Sequence, residues 1–219
     1  MLQEPSKIIL VTGFAPFAGE KINPSWQIVK ALPEMMAGYQ IQKLQVPTEF
    51  GKSIKVVIKT LKKFQPQMVL CLGQAGGRTG MSVERVAINV DDAIIADNAG
   101  AQPIDQAIVS DAPAAYFCTL PIKAMAEAMK KKNVPAEISN TAGTFVCNHL
   151  LYGVLHHIAL HQLKIRAGFM HVPYSDSQVI GRGEHPSLAL EAMIEGTKAA
   201  ITAAIKNRGD INIIGGKIQ

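Results

Sequence analysis

Short apolar runs of strand length alternate along this chain with segments whose apolar residues recur at helical spacing. That alternation restricts the fold more than any other feature. Lys7 to Thr12 reads as a buried strand, followed by a loop from Gly13 to Asn23. Asn23 suits a helix N-cap with Pro24 at the first helical position, and Pro33 closes that helix after Leu32. Tyr39 to Val46 reads as a strand. Glu49 to Phe64 reads as an amphipathic helix, with Phe50, Ile54, Val57, Ile58 and Leu61 on one face and lysines along the other. Met68 to Leu72 is a strand ending in the glycine-rich loop Gly73 to Gly80, and Val83 to Val90 is a further strand. After an irregular stretch from Asp91 to Asp111, Pro121 opens a helix that runs to Lys132, and Ala136 to Ser139 is a short strand. Thr144 to Leu163 reads as a long helix, Ile165 to Val172 as a strand, and Pro186 opens the last helix. This order predicts an α/β fold, an α/β/α sandwich around a twisted, mainly parallel (mixed) sheet, with residues 1–219 as a single domain.

Several function classes are disfavoured at once. Hydrophobic residues make up 48% and charged residues 18%, the balance of a folded globular chain rather than a disordered one. No apolar run approaches the roughly 20 residues that span a bilayer. The stretch from Met1 to Lys7 lacks the basic start of a signal peptide, so a cytoplasmic protein with no membrane partner is expected. The cysteines Cys71, Cys118 and Cys147 cannot all pair within one chain and match no zinc or Cys-x-x-Cys spacing, which points to reduced thiols. The net charge of +5 owes much to the lysine-edged helix; without aromatic interleaving or a reading motif, no nucleic-acid partner is expected. His157 and His161 have a spacing that can hold a metal, but no acidic residue on their helix completes a set, and no metal is expected. The glycine loop lacks both the Gly-Lys-Ser/Thr ending of a P-loop and the Gly-x-Gly of a dinucleotide site.

Chemistry concentrates at three residues. Cys147 follows the small, polar stretch Ser139 to Thr144 and falls in the first turn of the helix that begins there. The helix dipole and unpaired N–H groups at such a place favour an anion, which lowers a thiol pKa and offers an oxyanion site. A buried structural cysteine is the alternative. His171 closes the strand before Val172-Pro173, at a sheet edge where α/β sites form, and is placed to act as base to a cysteine. A histidine packed on the sheet is the alternative. Glu84 lies among alternating apolar residues; if Val83 faces one side, Glu84 faces the other with Val86 and Ile88. A buried carboxylate needs a partner, and an imidazolium is one candidate while Arg85 or a lysine is another.

Several segments, in order and over nearly the whole chain, resemble pyroglutamyl-peptidase I (pyrrolidone-carboxylate peptidase), a cysteine peptidase family. They are Thr12-Gly13-Phe14-Ala15-Pro16-Phe17 with Asn23-Pro24-Ser25-Trp26, Gly73-Gln74-Ala75-Gly76-Gly77-Arg78, Ser82 to Asn89, Ser139 to Asn148, and His171-Val172-Pro173. The resemblance implies a triad of Glu84, Cys147 and His171, hydrolytic removal of an N-terminal 5-oxoproline (pyroglutamate) from peptides through an acyl-enzyme, and no metal or organic cofactor. It implies a homotetramer or homodimer. It also implies a lactam pocket in which Phe14 and Phe17 bracket the ring, with Gln74, Thr48 and Val146 in or near it. One departure stands out: Ile94 occupies the place where the family commonly has an arginine, so a weakly active or non-catalytic binding relative is the alternative reading.

Overall fold

The run Ile8-Ile9-Leu10-Val11 is apolar on both faces, as a strand must be when layers cover it on either side. In the computed structural model, which describes residues 7–216, this run forms the interior strand β1, Ile8–Phe14. The reading of Met1 to Ser6 lies outside the described residues. In chain order the elements then run α1 (Pro24–Ala31), β2 (Met35–Met36), β3 (Tyr39–Val46), α2 (Lys52–Phe64), β4 (Met68–Gln74), β5 (Met81–Glu84), β6 (Val86–Ile88), β7 (Ala115–Phe117) and α3 (Ile122–Lys130). They continue with β8 (Ala136–Ser139), α4 (Val146–Leu160), β9 (Arg166–Val172), β10 (Tyr174–Ser175), α5 (Asp176–Val179), β11 (Ser187–Leu188) and α6 (Leu190–Lys206).

A seven-stranded sheet of order β2-β3-β1-β4-β9-β5-β8 forms the middle layer. Strands β3, β1, β4 and β9 run parallel; β2 is antiparallel to β3, and β5 pairs antiparallel with β9 and parallel with β8. The expected mixed, mainly parallel sheet is thus present, with its direction reversing between β9 and β5. Side chains alternate between two cores. Ile9, Val11, Leu70, Leu72, Met170 and Val172 meet α1, α3 and α6 through residues such as Ile28, Met125, Met193 and Ile201. Leu10, Val69, Cys71 and Phe169 meet α2 and α4 through Val57, Leu61, Leu150 and Leu151. Each such aliphatic side chain contributes about 1.5–3 kcal/mol by leaving water.

Local chemistry fixes where elements begin. Asn23 Oδ1 accepts from the Ser25 N–H at 3.0 Å and from Ser25 Oγ at 2.7 Å, and Ser25 Oγ accepts in turn from the Phe14 N–H at 3.0 Å. The cap therefore ties the end of β1 to the start of α1. Gly13 makes the approach possible, because a side chain there would lie 2.6 Å from the Ser25 carbonyl oxygen.

Two expectations are corrected. Val83 to Val90 is not one strand: pairing stops after Glu84, and Val86–Ile88 joins a separate two-stranded sheet with β7. Arg85 marks the break, its guanidinium bonded to Asn140 Oδ1 and the Gly215 carbonyl. Glu84 therefore does not share a sheet face with Val86 and Ile88. Nor does Pro186 open the last helix, since Ser187–Leu188 pairs with β10 and α6 begins only at Leu190.

Candidate active site

The site is assembled by strand parity. On β4 and β9, Gly73 and His171 are register partners and face the α4 layer, as Cys71 and Phe169 do. Cys147 is the second residue of α4. Its Sγ occupies the space a Gly73 side chain would fill: a methyl group there would sit 2.8 Å from Sγ and 2.7 Å from Phe169 Cζ. Neighbouring strands are spaced about 4.8 Å apart. The sulfur above Gly73 and the imidazole of His171 thus stand side by side on adjacent strands.

Glu84 approaches across the antiparallel junction. Ser82 is opposite His171 and Val83 opposite Met170, so Glu84 lies one pleat along on the imidazole's own face. His171 Nδ1 is 2.7 Å from Glu84 Oε1, and Glu84 is fully buried. Arg78 Nη1 donates to the same oxygen at 2.7 Å while its Nη2 donates to the Thr141 carbonyl at 3.2 Å. A carboxylate only accepts, so Nδ1 carries the proton and the neutral ring leaves the Nε2 lone pair available.

The charge balance follows from these contacts. Burial alone would raise the Glu84 pKa, but the His171 hydrogen bond and the His171 and Arg78 charges outweigh it and hold the carboxyl below its usual range. Burial pushes His171 down from its ordinary value, against the pull of Glu84. Burial pushes the Cys147 thiol up to about 12, with the Glu84 charge adding to the shift and Arg78 opposing it. Burial of the sulfur thus opposes the acidifying effect expected of a helix start. The resting pair is a neutral thiol beside a neutral imidazole. Cys71 and Cys118 are free thiols raised to about 12 by burial.

The first turn of α4 presents N–H groups with no intrahelical acceptor, and Phe145 at the N-cap supplies no side-chain cap. Around it lie most of the residues expected to line a pocket. Phe14 is buried with its ring 6.4 Å from that of Phe169, Val146 is buried, and Phe17 is 6.2 Å from Phe145. Thr48 is buried and its Oγ1 donates to the Ala15 carbonyl at 2.9 Å. Gln74 differs. It follows Gly73 in the strand, so its side chain points to the opposite layer, where its Oε1 accepts from Gln178 Nε2 at 3.0 Å. The structure does not bring that amide together with Phe14 and Cys147. Ile94 is 93% exposed. It stands on a stretch anchored at one end by Asp92, whose N–H donates to the Thr144 carbonyl at 3.0 Å, and at the other by Asp97, whose Oδ2 accepts from the Phe50 N–H at 2.7 Å.

Sequence reasoning missed three contributors. Arg78 stands in the glycine loop after β4, and the need of the buried Glu84 for a cation is the signal that points to it. Asn148 and His149 directly follow Cys147. Asn148 accepts from the Ile88 N–H and donates to the Ile88 and Val90 carbonyls, and His149 Nδ1 lies 2.7 Å from Asp91 Oδ2. Among the described residues no group of His, Cys, Asp and Glu is arranged to hold a metal ion, and no helix is long and apolar enough to cross a membrane.

A thiol, an imidazole and a carboxylate gathered on one face of an α/β/α sheet are the groups of a cysteine-type hydrolase. A family model described as pyroglutamyl peptidase matches residues 7–207, and the chain belongs to that cysteine-type hydrolase family. A pyrrolidone-carboxylate peptidase of Alkaliphilus oremlandii is 52% identical over 210 residues, covering 96% of this chain and 99% of the relative. The crystal structure of Bacillus amyloliquefaciens pyroglutamyl peptidase I is 46% identical with a TM-score of 0.90, covering 94% of this chain and 100% of its own. Pyrrolidone carboxyl peptidase of Pyrococcus furiosus gives a TM-score of 0.87 at 42% identity, over 91% of this chain and 98% of its own.

Proposed function

We propose that this chain removes an N-terminal 5-oxoprolyl residue from peptides, with Cys147 as nucleophile, His171 as acid–base and Glu84 as its orienter. The observation that carries the reading is the position of Cys147 Sγ over Gly73, beside a His171 whose Nδ1–H is held by a buried Glu84. His171 Nε2 takes the thiol proton as sulfur attacks the carbonyl carbon after the lactam ring. The first-turn N–H groups of α4 receive the oxyanion. The C–N bond then breaks as the imidazolium gives its proton to the departing amine. Water, deprotonated by His171, opens the thioester to release 5-oxoproline and the free thiol. Glu84 stays ionised throughout and stabilises the transient imidazolium. No metal or organic cofactor enters these steps.

Phe14, Phe17, Thr48 and Val146 line the lactam pocket in this reading. A flat, neutral ring suits their apolar surfaces, whereas an N-terminal prolyl carries a charged secondary amine that those surfaces leave unpaired. The Gln74 side chain is left out of the pocket. A non-catalytic reading built on Ile94 is not favoured, since no group used in these steps comes from that position. We further propose a cytoplasmic homodimer or homotetramer, for which light scattering showing a monomer at micromolar concentration would be the contrary result.

The test is hydrolysis of a fluorogenic 5-oxoprolyl amide by the wild type and by Cys147→Ala. The wild type turns the amide over, iodoacetamide blocks it, and the substitution reduces it to background. Undiminished turnover by a folded Cys147→Ala protein would sink the mechanism. A folded wild type with no turnover would sink the activity.

A further inference from the structure

A second carboxylate–imidazole pair has its imidazole two residues past the proposed nucleophile, and the chemistry above does not use it. Asp91 and His149 are both buried, with His149 Nδ1 2.7 Å from Asp91 Oδ2. The Gly51 N–H donates to His149 Nε2 at 2.7 Å. Because a backbone amide can only donate, Nε2 must present a lone pair and Nδ1 must carry the proton. His149 is thereby committed to two partners and is not free to exchange protons with a substrate.

What those partners belong to gives the pair its meaning. Gly51 (φ 67°) ends the stretch from Thr48, and Asp91 begins the stretch to Asn98. These two segments are wired to each other and to the loop after β1. The Asn98 N–H donates to the Thr48 carbonyl at 3.1 Å, Asn98 Nδ2 to the Pro16 carbonyl at 2.8 Å, and Thr48 Oγ1 to the Ala15 carbonyl at 2.9 Å. His149 also ends a chain of rings. It meets Phe50 edge-on at 5.2 Å, Phe50 meets Phe145 edge-on at 5.4 Å, and Phe145 meets Phe17 at 6.2 Å. One imidazole on α4 thus fixes, relative to Cys147, the segments that carry Phe17 and Thr48.

Stability alone is a poor reason for such a pair. Asp91 Oδ1 is buried with no hydrogen-bond partner, a feature that lowers stability. Apolar groups of the same shape commonly replace both members of a buried hydrogen-bonded pair with little loss. We infer that Asp91 and His149 are positioning residues that set the width of the lactam pocket, holding the Thr48–Gly51 loop against the start of α4 by two hydrogen bonds through one imidazole. The inference rests on the proposed 5-oxoprolyl site.

The test compares wild type, His149→Ala and His149→Gln on a fluorogenic 5-oxoprolyl amide, with rates expressed per Cys147 titrated by an irreversible thiol reagent. The alanine variant is expected to raise KM at least tenfold while kcat per site falls no more than threefold. Glutamine, whose amide can accept from Gly51 and donate to Asp91, is expected to return KM to within threefold of wild type. An alanine KM within twofold of wild type, or a glutamine variant as impaired as alanine, overturns the inference. Should the alanine variant not fold, the wild type decides. Titrating it with 2-pyrrolidone is expected to shift the ring nitrogen-15 signals of His149, and unmoved signals overturn the inference. Wild type without activity on the amide would instead refute the proposed function.

Discussion

Replacing Gly73 by alanine should separate activity from stability. The added methyl would lie 2.8 Å from Cys147 Sγ and 2.7 Å from Phe169 Cζ. Comfortable heavy-atom contacts fall at about 3.5–4.0 Å, so the sulfur or the ring must yield by about 1 Å. No unusual backbone angle forbids alanine there, and the fold should survive. Overpacking of this kind costs about 1–3 kcal/mol, which for a domain of this size lowers Tm by roughly 2–12 °C. A displacement of about 1 Å at the reacting atom costs on the order of 100-fold in rate, equivalent to about 2.7 kcal/mol of transition-state stabilisation. The expected result is a folded protein with kcat/KM down about 100-fold, measured on a fluorogenic 5-oxoprolyl amide alongside a thermal melt. Wild-type kcat/KM in a folded Gly73→Ala protein would refute the claim that Sγ acts from its position over residue 73.

Four further outcomes follow from the same geometry. His171 is pushed below its ordinary value, so the acid limb of kcat/KM should have its midpoint below about 6.5, and a pH–rate profile with a midpoint above that would contradict a base held neutral by burial. Glu84 is likewise depressed: its stabilising contribution is complete above the ordinary carboxylate value of 4.5 and is lost as pH falls through its lower folded value, which a series of thermal melts below pH 5 should show. Arg78→Ala removes the cation paired with the buried Glu84, so it should lower stability by roughly 3 kcal/mol and reduce kcat, read by denaturant melts and initial rates. Asn148→Ala removes three hydrogen bonds to Ile88 and Val90 and should cost about 3 kcal/mol in the same melts, with an unchanged midpoint as the contrary result.

The βα alternation, the Asn23–Pro24 cap and the bounds of Tyr39–Val46 were legible because each rests on local chemistry or periodicity. Glu84 faces the layer opposite Val83, as adjacent residues of a strand must. Val86 and Ile88 do not share its sheet face, because a period of two records which way side chains point, not which strand the backbone pairs with. The change of partner at Arg85 is decided by Asn140 and Gly215, far along the chain. Pro186 misled for a related reason: a proline can precede a short paired strand as readily as a helix. The placement of Cys147 in the first turn of its helix was readable, whereas its protonation state was not, because desolvation depends on what packs over the sulfur. Arg78 and His149 act across loops whose meeting no local pattern encodes.

The reversal of direction between β9 and β5 has a consequence for how this protein should be assayed after refolding. Only Ser82 and Val83 hold β5 in register against β9. A slip of one residue would turn Glu84 toward the other layer and leave His171 facing Val83, while the content of helix and strand stayed almost the same. Circular dichroism would count such chains as recovered; turnover would not. The gap between the two yields would therefore measure register errors at this single seam.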